Sequence, residues 1–270
     1  MAERETDSRA AAGRSAGPRR ELAVHAHDMR EHLPGLEPDR QINDWGRSER
    51  VEGAVDGTLW HFLYHYWFRV AVEGIEHVPN DGPALLVANH AGAVLPSAAM
   101  VAKAVRQRHP RARPVHFVTD PKLNDLPAVG MLVTKVGGVP NHPANLHRLL
   151  YDEEQLVLAF PEATKHGKSS KDRYRLRPFG EDESIETAVR ARAPIVPVAI
   201  VGAEEAFPVI AHLPGISLTP PFPLPARFRV RFLEPVAPTG APDGLARDLS
   251  AVVQENLLAM LSERRSVWLG

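Results

Sequence analysis

No cysteine occurs among the 270 residues. That excludes disulfides, thiolate nucleophiles and cysteine-ligated zinc, and it fits a reducing compartment. A surplus of charge is lacking as well. With 32 basic and 33 acidic residues the formal net charge is −1, so the chain carries no bulk footprint for nucleic acid, and any recognition of an anion has to be local. Long apolar runs are also missing: no uncharged stretch reaches the roughly 18 residues of a membrane span. The opening stretch MAERETDSRAAAGRSAGPRR lacks the apolar centre of a secretory signal. The expected location is therefore the cytoplasm or the inner face of the cell membrane, held peripherally. Finally, the G-x-G-x-x-G, Walker A, G-x-S-x-G and H-E-x-x-H patterns are all absent, which removes the usual signatures of dinucleotide binding, P-loop chemistry, α/β-hydrolases and zinc peptidases. No cofactor and no metal site is expected.

What is present divides unevenly. Residues 1–50 are polar and rich in charge and read as a largely disordered tail. Residues 51–270 read as one α/β domain. It opens with an unusual segment, GTLWHFLYHYWFRVAV (Gly57–Val72), whose aromatic residues Trp60, Phe62, Tyr64, Tyr66, Trp67 and Phe68 would cover nearly every side of a helix. Such a helix either docks on a core or lies in a membrane interface, where Trp and Tyr suit the headgroup level, and different faces can do each. His61 and His65 have metal-ligand spacing but no third partner nearby, so they read as polar edges.

Further on, continuous apolar runs alternate with helical patterns. PALLVANH, PVHFVTD, QLVLAFPE and APIVPVAIVG read as strands covered on both faces. RFRVRFLEPV alternates and reads as a strand with one wet face. Helical spacing follows the first strand as far as His109-Pro110. It recurs behind Pro143, in ESIETAVRARA and in the C-terminal series Leu245, Leu249, Val253, Leu257 and Met260. The proline-rich stretch Phe207–Ala226 is expected to be a surface excursion with a little helix. This alternation predicts a single layered domain, a mostly parallel sheet flanked by helices.

Ligands of open α/β sheets gather beyond the carboxyl ends of the strands. His90 ends one predicted strand and Glu162 another. After Glu162 comes TKHGKSSKDRYRLR, a basic loop on a near-neutral chain, which suits a phosphate or a coenzyme A moiety.

Four stretches then fall into order: NHAGAVLP, GGVPNHPANLHRLL, AFPEATK and APIVPVAIVGAEE. Together they resemble the four sequence blocks of the PlsC-like lysophospholipid (glycerolipid) acyltransferases, in the branch related to monoacylglycerol and diacylglycerol acyltransferases. The resemblance runs from about Tyr66 to Pro208. It implies an O-acyltransferase that moves a fatty acyl group from acyl-CoA or acyl carrier protein to a lipid or alcohol hydroxyl. His90 would be the general base and Asn89 would hold the turn beside it, while the backbone around Ala91 and Gly92 would stabilise the oxyanion. Phe160, Pro161, Glu162 and Lys165 would meet the acceptor, Arg175 and Arg177 would add phosphate contacts, and Asn145 and Pro197 match the second and fourth blocks. The partners implied are the acyl thioester, the acceptor and a membrane surface met through Trp60–Phe68, with no nucleic acid. The family's aspartate is replaced: Leu95 and Ala98 stand at the two positions where it occurs. In serine proteases the carboxylate that orients a histidine is worth about four decades of rate. Two alternatives stay open, a degenerate relative that binds lipid without turnover and an esterase or thioesterase.

Overall fold

The computed structural model describes residues 42–89, 94–124, 127–162, 173–180, 183–208, 211–213, 216–218, 220 and 222–268. The tail expected at the N-terminus lies outside the described residues as far as residue 41. The boundary expected near residue 50 falls just inside helix α1 (Glu49–Val55).

Every residue of β2 (Ala84–Ala88) is buried. Leu85 and Val87 join one apolar cluster, while Ala84, Leu86 and Ala88 join another. Successive side chains of a strand point to opposite faces, so a strand covered on both sides has to be apolar throughout. β5 (Leu156–Ala159) and β6 (Ile195–Val201) are buried in the same way, and β2 lies parallel between them. Beyond β5, the strands β3 (Val115–Thr119) and β4 (Gly138–Pro140) continue the parallel ladder. On the other edge β9 (Arg229–Phe232) runs antiparallel to β6 and carries β1 (Ala71–Glu73) parallel to itself. The seven-stranded order is β1-β9-β6-β2-β5-β3-β4, the mostly parallel sheet that the sequence predicts. β9 keeps its alternation of buried and half-buried residues. The three-residue strands β1 and β4 were not anticipated.

Helices cover both faces. α2 (Val94–Arg108) sets Met100, Val101, Ala104 and Val105 into the first cluster. The short α3 (Pro121–Asn124) and α4 (Pro127–Lys135) lead into β4. α5 (Pro143–His147), α6 (Ser184–Ala191) and α8 (Pro242–Trp268) bring Leu146, Ile185, Leu249, Val253 and Leu257 to the second cluster. Each such side chain, fully buried, contributes about 1.5–3 kcal/mol. Pro143 opens α5 as its position predicts, capped by His142, whose ring nitrogen accepts from the Ala144 N–H at 3.2 Å.

One expectation is corrected. The proline-rich stretch after α7 (Ala203–Ala206) carries a small hairpin, β7 (Ala211–Leu213) with β8 (Ile216–Leu218), where a little helix was expected. Closely spaced prolines deny a helix its donors, and the Pro-Gly pair between the two strands is a turn signal.

The aromatic segment continues α1 as two wide π turns, Asp56–Trp60 and Leu63–Trp67. Its inward side is charged at the start. Buried Glu52 pairs with Arg47 at 2.7 Å and also with Arg106 of α2, and Asp56 meets the buried Lys103 at 2.8 Å. Leu63, Tyr64 and Phe68 then enter the core, whereas Leu59, Phe62 and Tyr66 remain 45%, 44% and 68% exposed. Trp67 donates to the Pro223 carbonyl at 3.0 Å and meets the exposed Phe222 edge-on at 5.7 Å. Ion pairs at its start and the buried Leu63, Tyr64 and Phe68 dock this segment, while Leu59, Phe62 and Tyr66 face outward. No helix among the described residues is long and apolar enough to cross a membrane.

Candidate active site

The parallel strands end along one edge of the sheet, with Asn89 after β2, Phe160-Pro161-Glu162 after β5, Asp120 after β3 and Gly202 after β6. Asn89 is 1% exposed, and both of its amide atoms are spent: Nδ2 donates to the Ile200 carbonyl at 3.0 Å and Oδ1 accepts from the Ile200 N–H at 2.7 Å. A side-chain amide has the donor and acceptor of a peptide unit. Asn89 thus adds a rung to β6 beyond the last backbone pair, Ala88 with Val198, and fixes where the chain leaves the sheet. The next four residues, among them His90, Ala91 and Gly92, lie outside the described residues, as does Lys165.

Glu162 is 4% exposed at the neighbouring exit. Its Oε1 accepts from the Arg177 N–H at 2.8 Å, and its backbone bridges to Phe179, so the returning segment 173–180 folds back against the end of β5. Pro161 is buried, and Phe160 packs partly against the core. Arg177 is half-buried and Arg175 is exposed on that segment. The strand exits thus bring Asn89, Glu162, Arg175 and Arg177 to one edge.

Other predicted site residues are placed elsewhere. Asn145 donates to the Pro140 carbonyl at 3.1 Å, tying α5 to β4 at the sheet edge, two strands beyond β5. Pro197 sits buried within β6 opposite Val87. Its carbonyl accepts from Leu233 N–H at 2.9 Å, just past the last β6–β9 pair, Val198 with Phe232. Its missing donor therefore falls where that ladder breaks. Asp120 is exposed and accepts from the Lys122 N–H at 2.9 Å as the cap of α3. Leu95 packs against the core and Ala98 is fully buried, so neither family position supplies a carboxylate.

The residue that organises this edge was missed. Tyr174 adopts φ +61° and is 5% exposed. Its N–H donates to Glu204 at 2.7 Å, its hydroxyl accepts from the Gly202 N–H at 2.7 Å, and the same hydroxyl donates to Glu205. Burial, then the neighbouring Glu205 charge, push the phenol well above its ordinary range, so it stays a donor. From α8, Gln254 accepts from Leu176 N–H at 2.6 Å and donates to the Tyr174 carbonyl at 3.1 Å. Gly202 is required at φ +107°, because a Cβ there would stand 2.2 Å from the Arg227 carbonyl oxygen. The available signals were an aromatic residue inside a basic loop and the Glu-Glu pair after Gly202. These contacts tie the segment 173–180 to the start of α7 and to α8.

Residues 69–201 match the family model described as Acyltransferase. An uncharacterized protein of Mycobacterium tuberculosis is 34% identical over 92% of this chain and 76% of its own length, and one of Mycobacterium leprae is 34% identical over 94% and 77%. Among solved structures, the 1-acyl-sn-glycerophosphate (LPA) acyltransferase PlsC from Thermotoga maritima is similar in fold. It has a TM-score of 0.57 over 88% of each chain at 18% identity.

Proposed function

Because this chain belongs to the PlsC-like acyltransferase family, we propose that it transfers a fatty acyl group from acyl-CoA or acyl carrier protein to the hydroxyl of a lysophospholipid or related glycerolipid. The observation that carries the reading is the Asn89–Ile200 clip. It fixes the exit of β2 immediately before His90, one strand away from Glu162 and the pinned backbone of Arg177.

In this mechanism His90 takes the proton of the acceptor hydroxyl as that oxygen attacks the thioester carbonyl. The tetrahedral intermediate then collapses, the C–S bond breaks, and the proton passes from the imidazolium to the departing thiolate. General-base assistance of this kind is worth roughly 10²–10⁴-fold. Backbone N–H groups at Ala91 and Gly92 serve the developing oxyanion. Lys165, Arg175 and Arg177 neutralise the acceptor's phosphate, and Glu162 keeps the returning segment in place beside them. Phe160 and Pro161 line the approach, while Asn145 and Pro197 act from behind by fixing β4 and β6.

The outward side of the aromatic helix, with Phe222 beside it, is the surface that meets a bilayer. A soluble helix normally buries its apolar stripe and wets its charges. The pairing of Glu52 and Asp56 inward with Phe62 and Tyr66 outward is the reverse, and exposed apolar patches of this kind mark interaction surfaces.

To test the activity, purified protein is incubated with acyl-CoA and a panel of lysophospholipids and monoglycerides, and products are followed by mass. Acylated acceptor and free coenzyme A released in equal amounts are expected. Free fatty acid formed without acceptor would move the assignment to a hydrolase. Acyl-chain binding with no product from any acceptor would leave a binding protein.

A further inference from the structure

A second polar site lies at the opposite end of the sheet. A cleft of about 790 Å³ is lined by Arg47, Glu52, Arg106, Pro114, His116 and Gln155, with Glu49 and Glu153 also on its wall. Pro114 and His116 sit at the start of β3 and Gln155 immediately before β5. The cleft therefore opens at the amino ends of strands whose carboxyl ends form the candidate active site. Its wall contains side chains that rarely go inside: Arg47 is 6%, Glu52 8% and His116 3% exposed.

The hydrogen bonding here is incomplete. One carboxylate, Glu52, serves two guanidiniums. It accepts from Arg47 Nε and Nη2 at 2.7 Å each and from Arg106 Nη2, which leaves this trio with one net positive charge. Arg47 Nη1 has only a long 3.4 Å contact to the Val115 carbonyl. Glu153 is committed elsewhere, to Trp45 Nε1 and to Arg148, both at 2.7 Å. His116 Nδ1 is buried and has no hydrogen-bond partner among the described residues. Burial, and then the Arg47 charge, lower the His116 pKa to about 3, so the ring is neutral beside a guanidinium. Buried polar groups are normally satisfied, and one left unpaired beside unspent guanidinium donors calls for a ligand that supplies acceptors.

We propose that this cleft binds an oxyanion, with Arg106 and Arg47 as its cationic donors and His116 on its wall. The volume is in the range of pockets that take whole small molecules, so there is room for a larger metabolite that carries the phosphate or carboxylate. The site is separate from the acyl-transfer edge, and its occupancy does not depend on the activity assigned there.

The test follows the His116 ring resonances of the histidine-labelled 270-residue chain at neutral pH, using inorganic phosphate and then a phosphate monoester. A saturable shift of His116 is expected, along with a rise of its pKa when the anion is bound. Arg106→Gln should weaken binding at least about tenfold, the loss of one charge-assisted contact. Glu49→Gln, at an exposed position where folding is not at risk, should tighten binding by removing a carboxylate from the wall. Tighter binding of the monoester than of phosphate identifies the head of a larger molecule, and equal binding identifies free phosphate. A shift that follows ionic strength alike at all 13 histidines, or phosphate binding unchanged in both variants, would overturn the proposal.

Discussion

The two ends of the sheet treat their polar groups in opposite ways. At the carboxyl end they are spent mostly on the backbone: Asn89 on Ile200, Glu162 on Arg177, the Tyr174 hydroxyl on Gly202, Glu204 on the Tyr174 N–H and Gln254 on Leu176. At the amino end, Arg106 and His116 keep hydrogen-bonding capacity in reserve. A reactive edge needs its loops held to a fraction of an ångström, and side chains committed to main-chain groups achieve this without touching substrate. A cleft with unspent donors has the character of a binding site.

This contrast can be broken at either end. The largest expected effect is at the amino end. His116 has a folded pKa of about 3, below its ordinary 6.5. The unfolded chain therefore binds more protons, and stability is lost as pH falls through 6.5 toward 3. At 1.36 kcal/mol per unit the loss is at most about 5 kcal/mol. Arg47 acts on the ring directly, and Arg106, Glu52, Glu49 and Glu153 are the other charged groups on the wall of the same cleft. Denaturant midpoints at pH 7 and pH 5 should separate for the native chain and draw together in His116→Gln. An equal acid sensitivity in both would contradict the assignment.

At the carboxyl end, Asn89→Ala leaves the buried N–H and carbonyl of Ile200 without partners. It should cost about 2–4 kcal/mol, read by chemical denaturation. A loss below about 0.5 kcal/mol would mean that the clip does not hold the strand. Tyr174→Phe removes a hydroxyl bonded to Gly202 N–H and to Glu205, and should cost about 1–3 kcal/mol. If the segment positions the acceptor, KM for the acceptor rises while kcat changes little. The smallest stability effect is expected on the aromatic helix. Phe62→Ser with Tyr66→Ser should stay within about 0.5 kcal/mol of the native chain, yet weaken sedimentation with anionic vesicles by about tenfold or more. Unchanged vesicle binding would rule out this face as the membrane contact.

The frame of the fold was legible because its central strands are buried on both sides and carry unbroken apolar runs. β1 and β4 were not, since three residues show no periodicity, and the hairpin at 211–218 hid inside a proline-rich stretch. At the site, Asn89 and Glu162 could be read from their positions at strand ends. Tyr174, Gln254 and the Arg47–Glu52–His116 group could not. Their partners are far apart in the chain: 80 residues separate Gln254 from Tyr174, and 68 separate Arg47 from Val115. Arg47 also stands in a stretch whose composition reads as tail. Asn145 and Pro197 match family blocks, and in the fold Asn145 ties α5 to β4 while Pro197 lies within β6.

The central claim is that His90 removes the acceptor's proton at the carboxyl edge. The most direct measurement compares acyl transfer by the native chain and by His90→Ala, with circular dichroism and the denaturant midpoint recorded for both. The account predicts an unchanged fold and a fall in kcat of about 10²–10⁴-fold. A folded His90→Ala variant that turns over at the native rate would contradict it.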